Sequence, residues 1–301
     1  MWIEAFLRYV RYEKNYSSHT ALSYKRDIEQ FAEYLSREFA LPIEQASRDC
    51  VRGWAASLIE GNISSRSVAR KLSALRAFYA YLLKQGVTSE ILLQDISLPK
   101  VKKRLPSFAR PTEMDVLLDE NVPNDNFTAI RDKLIISLLY MTGIRRAELI
   151  GLHDIDVDTA ARRLKVTGKR NKQRVVPFGD ELAEMIAEYR AVRRKTVGND
   201  CDAFFVKDDG EPLYPMFVQR LVHQRLGEVT TLAQCSPHVL RHTFASAMLN
   251  NGAELNSVKE LLGHSSLAST QVYTHITFEE LKYNYKQAHP RAAKKGGFYG
   301  N

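Results

Sequence analysis

Apolar residues recur at helical intervals through most of the 301-residue chain. Ile3, Phe6, Leu7 and Val10 make one i, i+3, i+4, i+7 stripe, and Tyr24, Ile28, Phe31 and Leu35 make a second. Val51, Trp54, Ala55 and Leu58 suggest a third helix, closed by "EGN". In "SSRSVARKLSALRAFYAYLLKQG", Val68, Leu72, Leu75, Tyr79 and Leu82 share one face, with serines ahead as N-caps and Gly86 at the end. "FTAIRDKLIISLLYMTG" is a strongly apolar helix stopped at Gly143. "RRLKVTGKRNKQRVVPFG" breaks the helical period and reads as two short strands, around Leu164–Val166 and Arg174–Val176, joined by a polar turn. Helical spacing returns in "DELAEMIAEYRAVRR" and in "SPHVLRHTFASAMLNNG", where Ser236 is the expected N-cap, Pro237 the first helical residue and Gly252 the stop. "ELNSVKELLGH" repeats the pattern and stops at Gly263. The expected fold is mainly α, interrupted by one small antiparallel sheet. No internal repeat or low-complexity segment interrupts it.

Composition places this pattern in a globular protein. Apolar residues make up 45% and charged residues 26%, and the chain is long enough for two cores. "LPKVKKRLPSFARPT", residues 98–112, has three prolines, a run of Lys and Arg and little apolar period, which marks a linker. The expected organisation is an N-terminal helical domain over 1–98, a linker over 99–108 and a second domain over 109–301. The net charge of +8 points to a polyanionic partner. Residues 1–104 hold 17 Lys+Arg against 11 Asp+Glu, so most of that excess lies in the helical front and the linker. Arg66, Arg70, Lys71 and Arg76 stand with no acidic residue between Asn62 and Gln85, an arrangement suited to a phosphate backbone. Lys102, Lys103 and Arg104 continue it in the linker. Cys50, Cys201 and Cys235 are far apart, which argues against a disulfide framework and fits a reducing cytoplasm. Neither a signal peptide nor a bilayer-length apolar run is visible, so a cytoplasmic location is expected.

The chemistry centres on "HVLRH", residues 238–242. His238 and His242 have the i, i+4 spacing of a metal-binding pair. A zinc-protease helix needs a glutamate after the first histidine, and Val239 stands there. A phosphate-binding loop at "TGKRNK" would need glycine at position 163, which is arginine, and Ser or Thr after Lys169. No G-x-S-x-G elbow exists for a serine hydrolase. A phosphate grip draws on more residues. Arg145 follows a helix stop, Lys169 sits on the turn between strands, His264 follows Gly263, and Tyr273 lies nine residues further on. Each also has a structural reading: Arg145 as an ion pair with Glu148, Lys169 as a solvated turn, Tyr273 as core.

In order and spacing, "TGIRRAEL", "VTGKRNKQRVVP", "HVLRHTFASAML" and "ELLGHSSLASTQVYTH" resemble the boxes of the tyrosine recombinase/integrase family. "SSHTALSYKRDIEQF" and "SSRSVARKLSALRAFY" resemble its N-terminal helices, and "YKQAHPRA" resembles the ending of the XerC/XerD branch. The likeness spans nearly the whole chain. It implies a SAM-like core-binding domain followed by an α+β catalytic domain of the tyrosine-recombinase/type IB fold. Arg146 departs from the branch, which often has an apolar residue there.

The resemblance also implies a mechanism. Tyr273 would attack a DNA phosphate to give a 3′-phosphotyrosyl link. Arg145 and Arg241 would clamp the non-bridging oxygens, with His264 as a further donor. His238 would serve acid–base work on the tyrosine and Lys169 would protonate the 5′-oxygen. No metal or other cofactor is expected. The implied partners are double-stranded DNA and a tetramer on two sites, homomeric or with a second recombinase, passing through a Holliday junction. The two domains would close on the duplex as a clamp. A DNA translocase (FtsK-like) is a candidate activator, and residues 278–301 are expected to dock on a neighbouring subunit. The implied task is resolution of chromosome dimers at a dif-like site. Rival readings are an integrase or transposase of a mobile element, a monomeric type IB topoisomerase, or an inactive DNA-binding homologue. His242 is expected to support its helix and not to touch phosphate.

Overall fold

The computed structural model describes residues 1–89, 92–93, 107–168, 171–198, 201–263 and 278–292. The chain divides into two compact units, Met1–Arg104 and Leu105–Asn301.

In the first unit, α1 (Trp2–Arg8) runs into a π-helical turn, followed by α2 (Ser18–Phe39), α3 (Arg48–Glu60) and α4 (Ser65–Lys84). The α4 stripe is as read: Val68, Leu72, Leu75, Tyr79 and Leu82 are all buried. They meet Phe6, Ile28, Phe31, Leu35, Val51 and Trp54 in one core. Side-chain oxygens of Ser17, Ser47 and Ser64 accept from backbone N–H groups at the starts of α2, α3 and α4. The polar centre of this unit differs from the sequence reading. Asp27, on α2, is buried and pairs with both Arg70 and Lys71 of α4. Lys71 also donates to Gln30 and lies over the Trp54 ring. Helix α4 lacks an acidic residue of its own, and α2 supplies one across the helix pair.

The second unit is built round α6 (Phe127–Thr142). Its Ile130, Leu134, Ile135, Leu138, Leu139 and Met141 are buried on several sides, the pattern of a helix inside a core. Arg131 is buried too, and is satisfied by Asp132, Asp208 and the Phe127 and Phe217 rings. Round α6 lie α5 (Pro111–Leu118), α7 (Arg146–Ile150), α8 (Asp180–Thr196), α9 (Pro215–Val229), α10 (Pro237–Asn250), α11 (Leu255–Leu262) and α12 (Phe278–Ala288). The sheet is antiparallel, β1 (Val157–Asp158), β2 (Arg163–Thr167) and β3 (Gln173–Pro177), in the order β1-β2-β3. Register pairs Leu164 with Val176 and Val166 with Arg174. Arg174 therefore shares the core-facing side of β3 with Val176, where a period of two would put an apolar residue.

Gly143 closes α6 at φ +63, and a Cβ there would strike the Phe244 ring. Ser236 and Pro237 stand where expected at the start of α10, but the Ser236 side chain makes no capping bond. Among the described residues no helix is long and apolar enough to cross a membrane.

Leu281, Tyr285, Ala288 and Ala292 pack with Phe244 and Met248 of α10 and Val258, Leu261 and Leu262 of α11. Arg291 is buried against Glu181, Asp115 and Asp119. Residues 278–292 therefore pack on α10 and α11 of their own unit. Residues 293–301 lie outside the described residues.

His289 sits in this seat, 4% exposed, among the rings of Tyr140, Phe244 and Tyr285. Burial pushes its pKa down to about 3. Unfolded, the imidazole takes a proton near pH 6.5; folded, it stays neutral far below that. Between these values the unfolded chain holds the extra proton. Stability is therefore full above about pH 6.5 and falls by up to about 1.4 kcal/mol per pH unit as the pH drops. Denaturant unfolding at pH 7.5 and 5.5 should show this slope in the wild type and lose it in His289→Phe. Equal slopes in the two proteins would contradict the assignment.

Candidate active site

Three arginines from separate elements converge on the C-terminal end of α11. Arg174 of β3 donates through Nε to the Leu261 carbonyl at 2.8 Å. Arg241 of α10 donates through Nη2 to the Leu262 carbonyl at 2.5 Å. Arg145, the residue before α7, donates through Nη2 to the Gly263 carbonyl at 3.0 Å. The last carbonyls of a helix lack partners inside it and carry partial negative charge, so cations gather there. Gly263 continues the chain at φ +62, a left-handed cap with Arg174 against it.

Arg241 is 8% exposed and also donates to the Gly143 carbonyl at 2.6 Å, so two helix ends hold one guanidinium. Burial, with Arg145 nearby, pulls its pKa down to about 10, and it remains a cation at neutral pH. Arg145 is half-buried, and pairs through Nη1 with Glu148 Oε1 at 2.7 Å. Its backbone N–H donates to Glu148 Oε2 at 2.7 Å, closing the first turn of α7. Glu148 is 3% exposed and is shared. Arg174 grips both its oxygens, at 2.6 and 2.9 Å. Burial works against ionisation of Glu148, but the bonds from Arg174 and Arg145 hold its carboxyl below the ordinary range. Gly168, at the end of β2, comes so close that a Cβ would lie 3.2 Å from Glu148 Oε1.

His238 lies one turn before Arg241 on α10, at the surface. Partial burial, and then the neighbouring His242, Arg241, Arg146 and Arg145, hold its pKa below the usual histidine range. At neutral pH it is an uncharged imidazole able to exchange a proton. The buried cation cluster with a neutral histidine at its edge can bind a phosphate's oxygens and stabilise charge that develops on them.

The sequence and the fold match those of known proteins. The model of the phage integrase family matches residues 108–280, and that of the phage integrase N-terminal SAM-like domain matches residues 3–86. The chain belongs to the phage integrase family. It is a tyrosine recombinase, an enzyme of site-specific DNA recombination. It is 38% identical to tyrosine recombinase XerC of Chlorobaculum tepidum over 97% of this chain and 95% of the relative. It is 40% identical to XerC of Anoxybacillus flavithermus over 96% of this chain and 98% of the relative. Its fold is that of the XerH site-specific recombinase bound to palindromic difH substrate, with a TM-score of 0.73 at 21% identity, covering 95% and 94% of the two chains.

Of the residues the sequence picks for the recombinase's chemistry, the structure brings together Arg145, His238 and Arg241. Lys169, His264 and Tyr273 lie outside the described residues, as do Lys102, Lys103 and Arg104. Among the candidate DNA-binding residues of α4, Arg66 is exposed. Arg70 is half-exposed and braced by Asp27 and Ser23. Lys71 is 8% exposed, so its charge is spent inside the unit on Asp27 and does not face a polyanion. Arg76 donates to the Leu93 carbonyl at 3.2 Å. His242 is exposed, and its part is electrostatic, as a neighbour that holds down the His238 pKa.

Sequence reasoning read Glu148 as an ordinary salt-bridge partner and did not single out Arg174. The spacing of Glu148, three residues past Arg145 at a helix start, was an available signal. For Arg174 the signal was a cation at an inward strand position.

Proposed function

We propose that this recombinase cuts double-stranded DNA through Tyr273 and that its task is to resolve chromosome dimers at a dif-like site. The observation that carries the chemistry is the convergence of Arg145 and Arg241 on one helix end beside neutral His238. Residues 1–98 serve as the core-DNA-binding domain and 109–301 as the catalytic domain. Arg66 and Arg70, with the basic linker, supply phosphate contacts.

Cutting DNA and rejoining it without an external energy source requires a protein nucleophile that stores the bond as a phosphoester. A phenol has an ordinary pKa near 10, so the site must favour its anion as the bond to phosphorus forms. Arg145 and Arg241 meet the non-bridging oxygens, with His264 as a further donor, and His238 takes part in the tyrosine's proton transfer. Tyr273 oxygen bonds to phosphorus, the 5′-oxygen leaves, and Lys169 gives that oxygen a proton. The reverse step, by a 5′-hydroxyl from a second duplex, rejoins the strands and frees the tyrosine. The chain acts in a tetramer on two sites, with itself or a second recombinase, and a translocase is its activator.

Chromosomal fragments captured by the protein, rebuilt as nicked duplexes, test this. The expected result is a covalent protein–DNA band, with captured sequences mapping to one chromosomal locus. Capture of the ends of a mobile element would replace the resolution role with integration. Relaxation of supercoils without sequence selection would replace both with topoisomerase activity. Lys169→Ala should cleave slowly, by about 100-fold or more, as expected for loss of a general acid. A 5′-bridging phosphorothiolate, whose leaving group needs no proton, should restore most of that rate. No restoration would remove Lys169 from this role.

A further inference from the structure

Arg174 is not among the residues proposed to touch phosphate, yet it bonds to Glu148, the partner of Arg145, and to the end of α11, where Arg241 is held. Its guanidinium takes both oxygens of Glu148, at 2.6 and 2.9 Å, and its Nε takes the Leu261 carbonyl at 2.8 Å. Its side chain is 14% exposed and lies against Gly263. We propose that Arg174 is a positioning residue for strand cleavage: it offsets the buried Glu148 carboxylate and thereby leaves the charge of Arg145 free for the scissile phosphate. The proposal rests on the phosphotyrosyl reading given above.

The charge balance explains why a third arginine is needed. Arg145 and Glu148 alone form a neutral pair, and a guanidinium neutralised by a carboxylate at 2.7 Å is a poor ligand for an anion. Glu148 is needed all the same, because it accepts the Arg145 backbone N–H and fixes the guanidinium at the start of α7. With Arg174 added, each Glu148 oxygen accepts one bond from each arginine, and the trio is left with one net positive charge. A lysine at 174 could balance the charge but could not make two parallel bonds to the carboxylate and a third to Leu261.

The second half of the role is geometric. Arg174 belongs to β3, which follows the turn that carries Lys169. The carbonyl it holds, Leu261, lies three residues before His264. One side chain thus ties the hairpin, α7 and the end of α11 together. A shift of about 1 Å in a reacting group can cost about 100-fold in rate.

The experiment compares wild type, Arg174→Ala and Arg174→Lys on nicked duplexes rebuilt from fragments captured by Tyr273→Phe protein. Single-turnover formation of the covalent adduct should fall about 100-fold in Arg174→Ala, while the Kd for the duplex stays within about threefold. Arg174→Lys should fall between. The pH profile separates positioning from mere structural support. Without Arg174 the buried Glu148 carboxyl takes a proton more readily, so the acid limb of cleavage should move to higher pH. Added guanidinium ion should restore part of the Arg174→Ala rate. Wild-type rate in Arg174→Ala would overturn the proposal. So would an equal loss in the Lys and Ala variants with an unmoved pH profile and no guanidinium effect, because that pattern belongs to a damaged fold. Absence of any adduct from wild type would instead overturn the phosphotyrosyl chemistry.

Discussion

A Tyr273→Phe protein is expected to bind its duplex with unchanged affinity and to form no covalent adduct. The substitution removes one oxygen and keeps the ring. In the proposed chemistry the lost oxygen is the atom that bonds to phosphorus, and a neighbouring water could at most hydrolyse the strand without linking it to the protein. Binding should persist because phosphate contacts from many cations set affinity. The measurement is a denaturing gel on a nicked duplex, beside a mobility shift on the intact one. An adduct that survives the substitution would assign the nucleophile to another residue. Loss of adduct and binding together would mean that the variant has lost its fold.

The second large effect is expected at Arg241. Its guanidinium is buried and holds the carbonyls of Gly143 and Leu262, so it is oriented before any phosphate arrives. On the proposed mechanism Arg241→Ala removes a cation at the point where negative charge grows, and cleavage should fall about a thousandfold or more. It also leaves two helix-end carbonyls without a partner, at about 1–3 kcal/mol each. Arg241→Lys keeps the charge but cannot reach both carbonyls in one plane, so it should regain part of the stability and little of the rate. Single-turnover cleavage and thermal unfolding, run on the three proteins, test this. If cleavage tracked stability through the series, Arg241 would be a brace and not a phosphate ligand.

What the sequence revealed depended on how local each signal was. The face of α4 was legible because a long helix repeats its apolar period many times, α6 because it is strongly apolar, and Gly143 and Gly263 marked the stops of α6 and α11 through backbone conformation. Helices α5 and α7 span 8 and 5 residues, too few for a period to show. The longer α9 carries a proline start signal at Pro215, but its apolar period is weak. Arg145, His238 and Arg241 were picked from order and spacing. The pairing of Asp27 with Lys71 was not legible, because the two lie 44 residues apart and meet across α2 and α4. The same holds for Arg174 and Glu148, 26 residues apart, whose bond depends on the strand register. The seat of residues 278–292 required knowing that α10 and α11 expose an apolar surface for it.

That seat also bears on the proposed nucleophile. Tyr273 stands five residues before Phe278, the first residue of α12. Five residues of fully extended chain reach about 17 Å at most. The anchor α12 is held by its apolar face and by Arg291 in the same unit as Arg145 and Arg241. If Tyr273 acts as proposed, the effective concentration of its hydroxyl near those arginines depends on that anchor. Unseating α12 would dilute it.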